Sequence, residues 1–170
     1  WQTNTVDATG VLTLTDAGGN TSRRSIQILA EGTSSLVDLV AATDFSDAFG
    51  TGSTDGQFSS LNAYEGGEIR TGSLTNLNGV LVVLGRTGTI GVGTVATLRN
   101  GSVVAGGNDV AFPFLTDAQD TDFVIDGVAA DLGALTNLSF GSVLLRNGGS
   151  VDTSAVTSID HAMFTVQDGA

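Results

Sequence analysis

The chain has 170 residues, of which 41% are apolar, 24 are Gly and 1 is Pro, a composition that suits one domain with an extended core and many tight turns and excludes a proline-rich linker. Its net charge of −12 comes from 18 acidic residues against 6 arginines and no lysine, which excludes nucleic acid as a partner, because phosphate contacts need clustered basic groups, and disfavours an anionic membrane surface. With no Cys, disulfides, thiolate nucleophiles and zinc-thiolate sites are excluded, and no apolar run approaches the ~18 residues of a membrane-spanning helix, so membrane insertion is not expected.

The chain begins at Trp1, without an initiator Met or a signal-peptide pattern, and is expected to be mature, trimmed or a fragment. "VLTLTDAGGN", Val11 to Asn20, reads as a strand and turn, and residues 1–24 are expected to form a degenerate first coil or an N-terminal cap. Next, "SIQILAEGTSSLVDLVAATDFSD" at 25–47 runs strand, glycine corner, strand and Thr-containing corner, which is one coil. Thr43 precedes Thr75 by one coil plus an excess of about eleven residues, and the polar, glycine-rich "SDAFGTGSTDGQ" at 46–57 is the expected loop insertion.

From there the chain repeats itself. Leu74-Thr75-Asn76-Leu77 is echoed at Val95–Leu98, Leu115–Ala118, Leu135–Leu138 and Val156–Ile159, in steps of 21, 20, 20 and 21 residues. A second ladder runs through Leu61, Val82, Val103, Phe123, Val143 and Phe164, and a third through Ile69, Ile90, Val110, Ala130 and Val151. Glycine corners at Gly66-Gly67, Gly106-Gly107, Gly127, Gly148-Gly149 and Gly169 separate the second ladder from the third, where glycine is expected to supply positive φ.

Each repeat thus holds about three short strands, with alternation visible in "SVLLRN" and "MFTVQD". A unit this small cannot bury its apolar face alone, so successive copies must stack with their strands in parallel. The expected fold is all-β: a single-stranded parallel β-helix, or β-solenoid, of about 20–21 residues per coil over residues 25–170, with the insertion near 46–57. Helical repeats are excluded because glycines interrupt every candidate helix.

Residues 58–170, and more loosely 25–47, resemble the degenerate ~20-residue parallel β-helix repeats of large secreted or surface-attached bacterial proteins of adhesin-like style. That resemblance implies an extracellular or cell-surface scaffold, sheath or adhesive shaft, and carries over no catalytic residue.

The candidate chemistry is sparse. Thr43, Thr75, Thr116, Thr136 and Thr157 stack at one corner; such a row can meet ice or sugar rings, or simply bond to backbone, which is the reading preferred from Thr turn chemistry. "TDAQDTD" supplies Asp117, Asp120 and Asp122 as calcium candidates, hard oxygen ligands at short spacing, set against solvated carboxylates as the preferred reading. "GGNDVAF" at 106–112 carries a single likeness to calcium-binding nonapeptide repeats, which need tandem copies. His161, the sole histidine, follows Asp160, yet no Gly-X-Ser-X-Gly elbow accompanies it. "GRTGTIGVG" lacks the Lys-Ser/Thr of a phosphate loop. Arg70 and Arg86 are the arginines available to a polysaccharide-cleaving groove, but without Lys and with one His the chain is short of the required acids, bases and length.

The expected function is therefore structural: a non-catalytic extracellular or cell-surface segment serving as shaft, sheath or fibre-forming subunit. The alternative is a glycan-binding or polysaccharide-degrading β-helix. No catalytic residue and no cofactor is expected, with calcium kept as the alternative to solvated carboxylates. Because "MFTVQDGA" opens a coil without completing it, the expected partner is a further coil, through self-association or continuation of the same solenoid, with glycan or cell-surface contact as a second possibility.

Overall fold

A computed structural model describes residues 5–7, 12–16, 25–47 and 59–167. The fold is all-β, 49% strand and 2% helical, a parallel solenoid of about five turns. In chain order the strands are β1 (Thr5–Asp7), β2 (Leu12–Asp16), β3 (Gln27–Glu31), β4 (Leu36–Asp38), β5 (Ala42–Asp47), β6 (Ser59–Tyr64), β7 (Glu68–Arg70), β8 (Asn76–Asn78) and β9 (Val80–Leu84). They continue with β10 (Thr89–Ile90), β11 (Thr97–Arg99), β12 (Ser102–Ala105), β13 (Val110–Ala111), β14 (Asp122–Asp126), β15 (Ala129–Asp131), β16 (Ser142–Arg146), β17 (Ser150–Asp152) and β18 (Met163–Val166), with one 3-10 turn at Val92–Thr94. That turn is too short and too mixed to cross a membrane.

The longest sheet stacks seven strands in the order β18-β16-β14-β12-β9-β6-β3. Its register places Leu61, Val82, Val103, Phe123, Val143 and Phe164 on one ladder, as the sequence spacing requires. A second face consists of β11-β8-β5-β2 and is prolonged by single bridges linking Thr97, Asp117, Asn137 and Ser158. The third face is split into β1-β4-β7-β10 and β13-β15-β17. β1 and β2 pair in parallel with β4 and β5, so residues from the first 24 join the stack.

Alternation explains why the three faces close on one core. Inward positions of each coil carry Val, Leu, Ile, Ala or Phe, and Phe45, Phe112 and Phe123 are its largest fully buried side chains. Outward positions are polar or half-exposed. A core of small aliphatic groups with few rings suits a narrow, layered interior.

The structure corrects three expectations. Phe164 keeps its place on the ladder but is exposed, because nothing among the described residues stacks beyond it. The third ladder is interrupted, since β10 and β13 belong to different sheets and Ile90 and Val110 are not partners. Ser46 and Asp47, expected in the loop insertion, belong to β5, while residues 48–57 lie outside the described set.

The glycine corners have two causes. Gly66 and Gly148 are left-handed, at φ 86° and 82°, and so is Gly127. Gly67, Gly107 and Gly149 are required by space instead: a Cβ on Gly67 would lie 2.3 Å from the Ala30 carbonyl oxygen, and one on Gly149 2.4 Å from that of Ile125. Gly169 lies outside the described residues.

Candidate functional site

The strongest concentration of polar groups lies on the face built from β5, β8, β11 and the bridged segments. Alternation buries Phe45, Leu77, Leu98, Ala118 and Leu138 and turns their neighbours outward. Parallel register then lines up Asp44, Asn76, Thr97, Asp117, Asn137 and Ser158 in one column. Asn76 Nδ2 donates to Asp44 Oδ1 at 3.0 Å, Thr97 Oγ1 to Asn76 Oδ1 at 2.5 Å, and Asn137 Nδ2 to Asp117 Oδ1 at 3.0 Å. Side chains one strand spacing apart thus bond from coil to coil, a polar counterpart of the apolar ladders within.

The Thr row stands beside this column. Thr136 Oγ1 donates to the Thr116 carbonyl at 2.9 Å, Thr157 Oγ1 to that of Thr136 at 3.3 Å, and Thr75 Oγ1 to that of Thr43 at 3.3 Å. Thr116 donates more weakly, at 3.4 Å, to the carbonyl of Ala96, which replaces Thr in that coil. The hydroxyls tie each corner to the preceding one.

At the next corner Gly79, Asn100, Asp120, Phe140 and His161 all have positive φ. The backbone N–H groups of Gly79, Asn100, Asp120 and Phe140 each donate to the following coil, the last to Asp160 O at 2.8 Å. Left-handed geometry is uncommon for a bulky residue, yet Phe140 holds it and stacks on His161, ring centroids 5.0 Å apart and planes 18° from parallel. That separation matches one coil rise.

The three calcium candidates do not converge. Asp117 accepts from Arg99 Nε at 2.9 Å and also from Arg99 Nη2, Asn137 and the Gln119 N–H. Asp122 Oδ1 accepts from the Ser142 hydroxyl at 2.5 Å, and Asp120 sits at the left-handed corner. Among the described residues no group of three or more His, Asp or Glu is arranged to hold a metal ion. His161 Nε2 lies 3.7 Å from Asp160 Oδ1, both groups exposed. Arg70 is paired with Glu68 at 2.7 Å, whose hydrogen bond and charge raise the guanidinium pKa further, and Arg86 is paired with Glu65 at 3.1 Å.

Two sets of polar partners escaped sequence reasoning. Asp47 is buried at the end of β5, where its Oδ2 accepts from the Ser59 N–H at 2.9 Å and the Ser59 hydroxyl at 3.0 Å. Only the pairing across an eleven-residue gap brings these two together, and no sequence spacing announces it. The second is the "GGND" corner: Asn108 Nδ2 donates to the Gly88 carbonyl at 3.4 Å, and Asp109 Oδ1 accepts from the Ala129 N–H at 2.7 Å. These side chains bridge to the neighbouring coils beside a cleft of about 170 Å³ between β10 and β13.

No protein-family model, curated protein or solved structure matches this chain.

Proposed function

We propose that the chain is a non-catalytic structural segment of an extracellular or cell-surface protein, a shaft, sheath or fibre element of adhesin-like style. The observation that carries this reading is the engagement of the polar side chains most suggestive of chemistry in bonds between coils: the Thr hydroxyls with backbone carbonyls, Asp117 with Arg99 and Asn137, and Asp122 with Ser142. Groups committed to the stack maintain the rod. The test is turnover and binding on a panel of acidic and neutral polysaccharides, with no hydrolysis, no lyase product and no saturable binding expected. Turnover of any polymer overturns the reading.

Glycan contact is the second reading, and one observation favours it. The Phe140–His161 pair is an exposed aromatic surface beside the Asn, Asp and Ser column, and such surfaces stack against the apolar faces of sugar rings. Saturable oligosaccharide binding abolished by Phe140→Ala would establish it.

A further inference from the structure

We infer that the solenoid carries a built-in opening plane in its middle, between the coil of β9, β10 and β11 and the coil of β12 and β13, along which the stack parts before the rest of it unfolds; the inference goes beyond the function proposed above and does not depend on it. The preceding boundary is closed by a ladder on every face, β6 with β9, β7 with β10 and β8 with β11. The following boundary keeps ladders on two faces, β12 with β14 and β13 with β15, and a single bridge between Asp117 and Asn137 on the other. At the plane one ladder remains, β9 with β12, together with the single bridge between Thr97 and Asp117. The third face has none there, because β10 ends one sheet and β13 ends another. Among the boundaries between full described coils, this one has the fewest ladders.

On the third face the groups on either side of the plane bond away from it. The N–H groups of Thr89 and Gly91 donate back to the carbonyls of Gly67 and Ile69, both at 2.9 Å, and Thr94 Oγ1 donates back to that of Leu74 at 2.8 Å. From the other side, the Phe112 N–H donates onward to the Asp131 carbonyl at 3.0 Å, and Asp109 Oδ1 accepts from the Ala129 N–H at 2.7 Å. Elsewhere on this face the amide that leads a strand ties it to a carbonyl of the preceding coil: Glu68 to Ser35 and Thr89 to Gly67 at 2.9 Å, and Ser150 to Val128 at 3.0 Å. At the plane the Asn108 side chain takes that place, its Nδ2 donating to the Gly88 carbonyl at 3.4 Å, beyond the usual length of such a bond. Beside it lies the cleft of about 170 Å³, lined by the buried side chains of Leu84, Ile90, Val92 and Val110. A side chain facing a cleft lacks dispersion partners on that side. Folded chains open in cooperative units, and the boundaries of those units fall where bonds and packing are thinnest.

The experiment is native-state hydrogen exchange of the 1–170 chain, followed by NMR at rising urea concentrations below the unfolding transition. Four amides bond across the plane: Leu98 to Asp117, Asn100 to Gln119, Thr116 to Ala96 and Gly106 to Leu84. They are expected to share one opening equilibrium, with protection factors at least about tenfold below those of Thr89, Gly91 and Ala96 at the preceding boundary and of Phe112, Ala118 and Asp120 at the following one. Asn108→Ala should lower the protection of the four by a further factor of about two or more, the worth of one weak hydrogen bond, and leave both flanking sets unchanged. Asn137→Ala, which removes the side-chain bond to Asp117 across the following boundary, is the control and should leave the four as they were. Equal protection at the three boundaries, a single global opening shared by every amide, or an Asn108→Ala response that is absent or spread evenly over the stack overturns the inference.

Discussion

Replacing Val103 with Asp tests the packing logic of the solenoid most directly. Val103 is fully buried, between Val82 and Phe123 on its ladder, which are also fully buried. Among the described residues the buried ionisable side chain is Asp47, an acid, so the interior holds no cation to meet a new carboxylate. Removing the valine forfeits about 1.5–3 kcal/mol of apolar burial, and an uncompensated buried charge costs about 3–5 kcal/mol where it stays ionised. The two overlap, because the carboxyl can protonate, so the expected loss at neutral pH is about 4–5 kcal/mol. That approaches the whole stability of a small domain, about 5–15 kcal/mol. Burial raises the carboxyl pKa in the folded chain above the ordinary ~3.9. The variant is therefore least impaired below that value and loses stability as pH rises through the raised one. Val104→Asp is the control: Val104 is adjacent but outward and only partly buried, and the loss expected there is about 1 kcal/mol, the span of strand propensity. Urea unfolding followed by circular dichroism at acid and neutral pH measures both. Equal losses at the two positions, or a larger one at Val104, would mean that the assignment of inward and outward faces is wrong.

Gly67→Ala drives a Cβ to 2.3 Å from the Ala30 carbonyl and should destabilise by about 1–3 kcal/mol, whereas Gly93→Ala, with nothing within 4 Å, should be neutral or stabilising by up to about 1 kcal/mol; matching melting shifts in the two would refute the steric account of the corner. Thr136→Val keeps the shape and removes the bond to Thr116, so a loss of about 0.5–1.5 kcal/mol is expected from chemical denaturation, and no change would show that the Thr row does not tie the coils. The Asp152 carboxyl lies below its ordinary pKa because it accepts hydrogen bonds from the backbone N–H and hydroxyl of Ser154. Its pKa being lower in the folded chain, this turn's contribution is complete above ~3.9 and is lost as pH falls through the depressed value; an NMR titration midpoint at or above ~3.9 would contradict that geometry.

Much of the architecture was legible in the order of residues. A 20–21-residue period, carried by three apolar ladders, determines parallel stacking, because a strand's side chains alternate with period two and a coil too small to bury its own face must bury it on the next. Leu61, Val82, Val103, Phe123 and Val143 were legible for that reason, and the register joins them as the spacing requires. Tertiary structure decided what depends on atoms brought together from different coils. Gly67 and Gly149 look like turn glycines in sequence, but a carbonyl from the preceding coil occupies the space where a side chain would stand. Asp117, Asp120 and Asp122 look like a cluster because they are close in sequence, yet Asp117 turns to Arg99 and Asn137 while Asp122 turns to Ser142. Asp47 reads as an ordinary loop acid until pairing across the coils buries it against Ser59. The period follows from local alternation repeated along the chain, whereas partnership between polar groups depends on which coil lies above and which below, and that neighbourhood exists only once the stack has formed.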